Sequence, residues 1–299
     1  DTTIWRLALT ALQRLLGAIS QVAALFALVV MVWHRNWPID LPGLDAGTVP
    51  FTYILPSRRL VELAAGISIA GYLLSGWPNF DRLKYGAPKI FSFGLLGVWL
   101  LTVLSASWSL NAGLAIIQAG HLAIWALFAV MIACADWPLP HLIAFFLIGL
   151  LIQSAIGLIQ FATQHFVGLG PDISELPIKP EYTWVSVVFD GPRRLMRAYA
   201  LSGHPNVLGG HVAIGAILSY GLIVVWPRMW RALVVMTWTA IWILLLITFS
   251  RSAWLATVLG GAAAFGLLLR ARLLNRRTGV AMITLAAIGL ILAVIFAIA

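Results

Sequence analysis

The chain has 299 residues, of which 62% are apolar and only 10% charged, with mean hydropathy +0.98. A soluble domain carries roughly 45–50% apolar and about 25% charged residues, so the composition excludes a soluble globular protein and leaves a polytopic membrane chain. The excess of 19 Lys and Arg over 10 Asp and Glu reads as loop charge that orients spans and meets phosphate groups, not as a nucleic-acid footprint.

A bilayer core needs about 20 apolar residues per crossing helix. That ruler predicts an all-α membrane protein with about nine spans: 16–34, 59–76, 89–107, 112–134, 141–163, 207–225, 232–249, 252–269 and 280–298. Residues 1–163 form an N-terminal set of about five helices. Residues 164–206 form one long connection, and 207–299 a C-terminal set of about four. The first apolar run is long enough to span and lacks a small-residue cleavage site, so it does not read as a secretory signal. Cys134 is the single cysteine and forms no internal disulfide. The chain starts at Asp1 and stops inside an apolar run at Ala299, which predicts an N-terminal portion of a longer protein.

Lysine and arginine set the orientation. The connection RARLLNRR carries Arg270, Arg272, Arg276 and Arg277 and reads as cytoplasmic; Arg228 and Arg231 fall on the same side by parity. Eleven of the 19 basic residues then lie inside and eight outside. The outer set includes Arg35, Arg58, Arg59, Arg193, Arg194, Arg197 and Arg251. The fourteen tryptophans mostly flank spans, as an interfacial belt requires.

The connection 164–206 is too long to be a plain linker and too aromatic to be disordered; Tyr182, Trp184, Phe189 and Tyr199 predict a partly ordered external cap. VSVVF within it reads as a short strand or an interfacial dip. Its end, RRLMRAYALSGHPN, gathers Arg193, Arg194 and Arg197 just before the sixth span. One reading is a set of interfacial arginines whose heads snorkel to lipid. The other is an external anion site, because guanidinium grips phosphate with paired hydrogen bonds and stays charged. Pro205 holds His204 extended, Asn206 is placed to cap the sixth span, and the free N–H groups of that helix start face the same loop. Gly209 and Gly210 permit close approach of a ligand or helix. His204 is a base, a phosphate ligand or a satisfied loop group.

SRSAW at 250–254 breaks an otherwise continuous apolar run. A charge at the bilayer centre costs about 2.5–3.5 kcal/mol, so Ser250 and Arg251 are placed at a tight external turn, with Ser250 or Ser252 capping the eighth span. The alternative is a polar turn that only separates two helices. Glu62 pairs locally with Arg58 or Arg59. Gln153 and Gln160 bridge helices, and His121 and His211 make packed polar contacts. No metal-ligand spacing, Walker loop or GxGxxG occurs. Asp172, Glu175, Glu181 and Asp190 are the acids of the long loop.

The order R-A-x-A-L-S-G-H-P-N, then S-R-S-A-W two spans later, resembles the O-antigen ligase and O-antigen polymerase superfamily. GLIQF at 157–161 and SASWSLNAGLA at 105–115 are similar to further features of that group. The resemblance covers roughly residues 90–270, with Arg197, Gly203, Pro205 and Asn206 matching the first motif and Ser250 and Arg251 the second. It implies a bacterial inner-membrane, inverting, metal-independent glycosyltransferase active on the extracytoplasmic face. Such an enzyme moves a glycan from undecaprenyl pyrophosphate to lipid A core, a growing polysaccharide or a protein. It implies no cofactor and no nucleic acid; the partners are the lipid-linked glycan, its acceptor and membrane lipids. The expected pyrophosphate-binding residues are Arg193, Arg194, Arg197, His204, Asn206, Ser250 and Arg251; the first two, like His204, enter on local charge and geometry. The family's second external loop, with its histidine, has no counterpart before Ala299, so the catalytic base stays unassigned. The other readings are a transporter or flippase of lipid-linked saccharides and a non-catalytic scaffold.

Overall fold

The computed structural model describes residues 2–31, 36–40, 52–76, 81, 86–135, 137–165, 180–183 and 185–273. The predicted ninth span, Arg276 and Arg277, and the loop acids Asp172 and Glu175 lie outside these residues. The chain divides into two compact units: Asp1–Leu28 with Arg59–Pro138, and Val29–Arg58 with Leu139–Ala299.

The described residues are mostly helical. Their helices are α1 Thr2–Val30, α2 Ser57–Ser75, α3 Gly86–Ser105, α4 Ala112–Cys134, α5 Leu139–Thr163, α6 Pro205–Val225, α7 Arg231–Ile247 and α8 Arg251–Arg270. Eight of the nine predicted spans therefore fall on helices. Five stretches are long and apolar enough to cross a membrane: Arg6–Val30, Ala112–Cys134, Leu139–Thr163, Pro205–Val225 and Arg251–Arg270. Helix α7 and the Lys89–Ser105 part of α3 are apolar but shorter.

Two antiparallel hairpins qualify the all-helical expectation. β1 Asn36–Asp40 pairs with β2 Thr52–Pro56, and β3 Val187–Asp190 pairs with β4 Arg193–Met196. The second hairpin realises the strand reading of VSVVF and pairs it with RRLM, a partner that periodicity did not reveal. Gly191 turns between the strands at φ 56°, in the left-handed region that glycine enters freely.

In the first unit, small residues let α1 and α2 pack closely. Ser20 Oγ donates to Ser68 O at 2.7 Å, and Ser68 Oγ donates back to Ser20 O at 2.8 Å. Such small-residue contacts replace the absent hydrophobic drive between helices in lipid. Trp99 of α3 donates its indole N–H to Ala119 O of α4 at 3.1 Å. Asn111 caps α4 by accepting from Leu114 N–H at 2.9 Å. Glu62 is buried and makes the local pair expected of it, with Arg59 Nη1 at 3.2 Å. It also accepts from His121 Nδ1 at 2.8 Å, while His121 Nε2 lies 3.4 Å from Arg59 Nη1. These contacts tie α2 to α4.

The second unit holds α5 to α8. Gly215 of α6 faces Leu150 and Leu147 of α5, and Gly157 of α5 faces Leu244 of α7. Along α6 and α8, Gly209 meets Ser250 and Ala253, Gly260 meets Ile217, and Gly261 meets Tyr220. The two sequences advance together, so α6 and α8 run parallel and begin side by side. A Cβ at Gly209 would stand only 2.9 Å from Ser250 Cβ, which makes glycine the residue that permits this approach. Gly210 faces open space.

Candidate functional site

The segment 196–204 enters between helices without regular structure, so its backbone N–H and C=O groups need partners. Three glutamines of α5 and the residue just past it supply them. Gln164 Oε1 accepts from Met196 N–H at 2.6 Å. Gln160, fully buried, accepts from Ala200 N–H at 2.7 Å and Tyr199 N–H at 3.3 Å, and donates to Ala200 O at 3.0 Å. Gln153, also fully buried, accepts from Leu201 N–H at 2.7 Å. Beyond the interhelical role expected of them, Gln153 and Gln160 both bind the backbone of the inserted segment. Ala200 sits at φ 48°, a strained setting for a residue with a Cβ. Gln160 holds that residue from both sides.

The other flank of the segment meets the end of α7. Ala198 N–H donates to Ile247 O at 3.0 Å. The Arg197 side chain donates from Nε to Thr248 O at 2.6 Å and from Nη2 to Asn206 Oδ1 at 2.7 Å. One guanidinium therefore joins the C-terminus of α7, where unpaired carbonyls welcome a cation, to the first turn of α6. Its Nη1 makes no hydrogen bond among the described residues. Burial pushes the half-buried guanidinium below its ordinary value, and Tyr199 opposes that shift. No Asp or Glu follows Asp190 in the chain, so the helices around Arg197 hold no carboxylate to neutralise it.

Helix α6 starts two residues earlier than predicted, and its cap is different. His204, extended at φ −157° and ψ 142°, is the N-cap, and Pro205 occupies the first turn. The expectation that Asn206 caps this helix is corrected, because its Oδ1 is bound to Arg197. His204 Nδ1 accepts from Asn206 N–H at 3.1 Å, and Nε2 lies 3.0 Å from Ser186 Oγ. Those partners place the ring proton on Nε2. Both nitrogens are occupied by the protein itself, so His204 acts here as a cap. Burial first, and the Arg197 charge second, hold its pKa below the ordinary imidazole value.

That arrangement gives a pH dependence with a definite sign. A depressed folded-state pKa means the unfolded chain binds more protons between the two values, so stability rises with pH there. The cap is fully effective above the ordinary value of 6.5. It is lost as pH falls below that value through the folded pKa. Wild-type thermal stability is expected to drop from pH 7 to pH 5, while His204→Asn, which caps without titrating, flattens this part of the profile. His204→Ala is expected to cost about 1 kcal/mol at pH 7.

Ser186 fastens the hairpin to this helix start. Besides the His204 contact, its N–H donates to Tyr199 Oη at 2.7 Å, and its carbonyl accepts from Arg197 N–H at 3.2 Å. Val185, Met196 and Tyr199 form a buried cluster beneath the hairpin, with Tyr182 and Val187 packed against it.

Helix α8 begins at Arg251 with Ser250 in the N-cap position. Ser250 is buried and makes no side-chain capping bond; its Oγ lies 3.4 Å from Ser252 Oγ. The α7–α8 turn is tight because Phe249 takes φ 48°. Glycine usually fills such a left-handed position after a helix; here the ring of Phe249 packs 6.1 Å from Phe161 and 6.4 Å from Trp254. The Arg251 side chain is exposed and makes no polar contact among the described residues.

The structure therefore brings five of the seven expected residues to one end of the second unit. Arg197, His204 and Asn206 are linked by hydrogen bonds, and Ser250 and Arg251 adjoin them through Thr248 and Gly209. Arg193 and Arg194 diverge. Arg193 is exposed at the hairpin end opposite Asp190. Four residues of strand separate it from Arg197, roughly 13 Å of chain. Arg194 turns toward the buried cluster and donates from Nη2 to Tyr182 O at 3.1 Å. Sequence reading missed Gln164, Ser186 and Thr248 as supports. The spacing of Gln153, Gln160 and Gln164, seven and four apart in an apolar run, was the available signal for a polar stripe along α5; Ser186 carried none.

The chain matches no family model, no curated protein and no solved structure.

Proposed function

We propose that this chain belongs to a membrane glycosyltransferase of the O-antigen ligase and polymerase type. It moves a glycan from a polyprenyl pyrophosphate to an acceptor hydroxyl on the extracytoplasmic face of a bacterial inner membrane. The observation that carries this reading is Arg197. Its guanidinium is fixed by Thr248 O and Asn206 Oδ1, makes no hydrogen bond through Nη1 among the described residues, and stands where α6 and α8 begin together with the exposed Arg251.

The chemistry asks for that combination. The acceptor oxygen attacks the anomeric carbon as the bond from that carbon to the pyrophosphate oxygen breaks. Charge grows on the leaving diphosphate, and preoriented donors stabilise it most where water is scarce. Arg197 and Arg251, with the amide end of α8, supply such donors; the first N–H groups of α6 are already taken by His204. The acceptor's proton goes to a general base, a role that His204 does not fill because its only free lone pair already accepts from Asn206 N–H.

The test is transfer itself. Full-length protein in vesicles, given polyprenyl-pyrophosphate glycan and acceptor, is expected to form the glycosylated acceptor with no ion gradient and with chelator present. Movement of the lipid-linked glycan across the bilayer without any transfer product would favour a flippase and overturn the reading.

A further inference from the structure

The second unit has another feature at its opposite end, where α5 and α7 begin and α6 finishes. A cavity of about 310 Å³ opens there between the three helices. Phe145, Ile148, Leu222 and Val234 are among its walls, and His141, Trp226 and Trp230 stand at its rim. The groove is open on one side, since Ile148 is 44% and Leu233 52% exposed. Arg231 begins α7 beside it. Its Nε donates to Trp226 O at 3.3 Å, which holds the guanidinium at the rim, and its two terminal nitrogens make no hydrogen bond among the described residues.

From these observations we infer that the groove seats an anionic diacyl phospholipid, with one acyl chain between α5, α6 and α7 and the phosphate on Arg231. Three features select this occupant. The walls are almost wholly apolar and run along helices sized to a bilayer. Indole rings ring the mouth, and Trp is the side chain that settles at headgroup depth. The rim is cationic, with Arg270 and Arg272 exposed at the same end, while α5 to α8 contain no Asp or Glu. A neutralising anion must come from outside these helices, and a lipid phosphate delivers it together with the apolar tail. The inference rests on the membrane reading alone and is independent of glycan transfer.

Purified full-length chain in detergent is titrated with phosphatidylglycerol, with phosphatidylcholine of the same acyl chains, and with glycerol 3-phosphate, and thermal unfolding is followed. Phosphatidylglycerol is expected to stabilise most, and glycerol 3-phosphate not at all. Arg231→Gln is expected to weaken the phosphatidylglycerol response about fivefold, to the level of phosphatidylcholine. Ala144→Trp, which fills the groove, is expected to weaken both. Phosphatidylglycerol carrying a photoreactive acyl chain is expected to label wild-type residues 141–151 and 226–237, a readout that holds even where the tryptophan variant misfolds. Equal responses to the two lipids in wild type, or labelling confined to other helices, would overturn the inference. So would crosslinks showing residues 280–298 of the same chain lodged in the groove.

Discussion

Arg197→Lys is expected to lower kcat for glycan transfer by about 10²-fold or more in the full-length enzyme, with protein level in the membrane close to wild type. Lysine offers one compact ammonium where arginine offers a planar fork. It can keep a bond to Thr248 O and so preserve the end of α7, but its three N–H donors radiate from one nitrogen and do not reproduce the planar fork that reaches Thr248 O, Asn206 Oδ1 and a phosphate from three separate nitrogens. Asn206→Ala should fall between, since Arg197 then keeps its anchor on Thr248 and loses only the contact that aims it. Activity of Arg197→Lys within about threefold of wild type would remove the residue from the transition state and leave it as a helix cap. Measuring kcat and KM separately is decisive, because a loss confined to KM reports ground-state binding only.

The largest effect on folding is expected at Gln160. Replacement by Leu conserves bulk but orphans Ala200 N–H, Ala200 C=O and Tyr199 N–H in a buried place. Each buried unpaired polar group costs about 1–3 kcal/mol, so three of them cost on the order of 3–9 kcal/mol, a large share of the roughly 5–15 kcal/mol that holds a typical domain folded. Ala200 would also lose what keeps it at φ 48°. Gln160→Glu retains acceptors for both N–H groups and should lose distinctly less. Helix content and detergent-solubilised yield, compared among the three proteins, check the ranking. Equal yields for Leu and wild type would mean that water or lipid serves the segment in place of the glutamine.

Much of the fold was legible because long apolar runs admit few structures in a bilayer. The Glu62–Arg59 pair and the SRSAW turn were each visible from local chemistry within a few residues. What stayed hidden was non-local. RRLM opens with two arginines that look alike in charge, and only pairing with VVFD sends Arg193 to the hairpin end and Arg194 to the buried cluster. His204 took over the capping duty expected of Asn206 for the same reason. Either side chain can cap a helix, and the choice was made by Arg197, nine residues away from Asn206, claiming its oxygen. The glutamines of α5 could be seen as a stripe, but the backbone they serve lies about forty residues further on in the chain.

The glutamine contacts also fix a depth. Gln153 stands ten residues before the end of α5, and at 1.5 Å per residue Leu201, which it holds, lies roughly 15 Å below the rim of that helix. Arg197 stands nearer that rim, because Gln164, just past the end of α5, holds the neighbouring Met196. Under the proposed function, a carrier whose phosphates ride at the head of a long hydrocarbon tail would meet Arg197 by gliding sideways within its own leaflet, without being lifted into water.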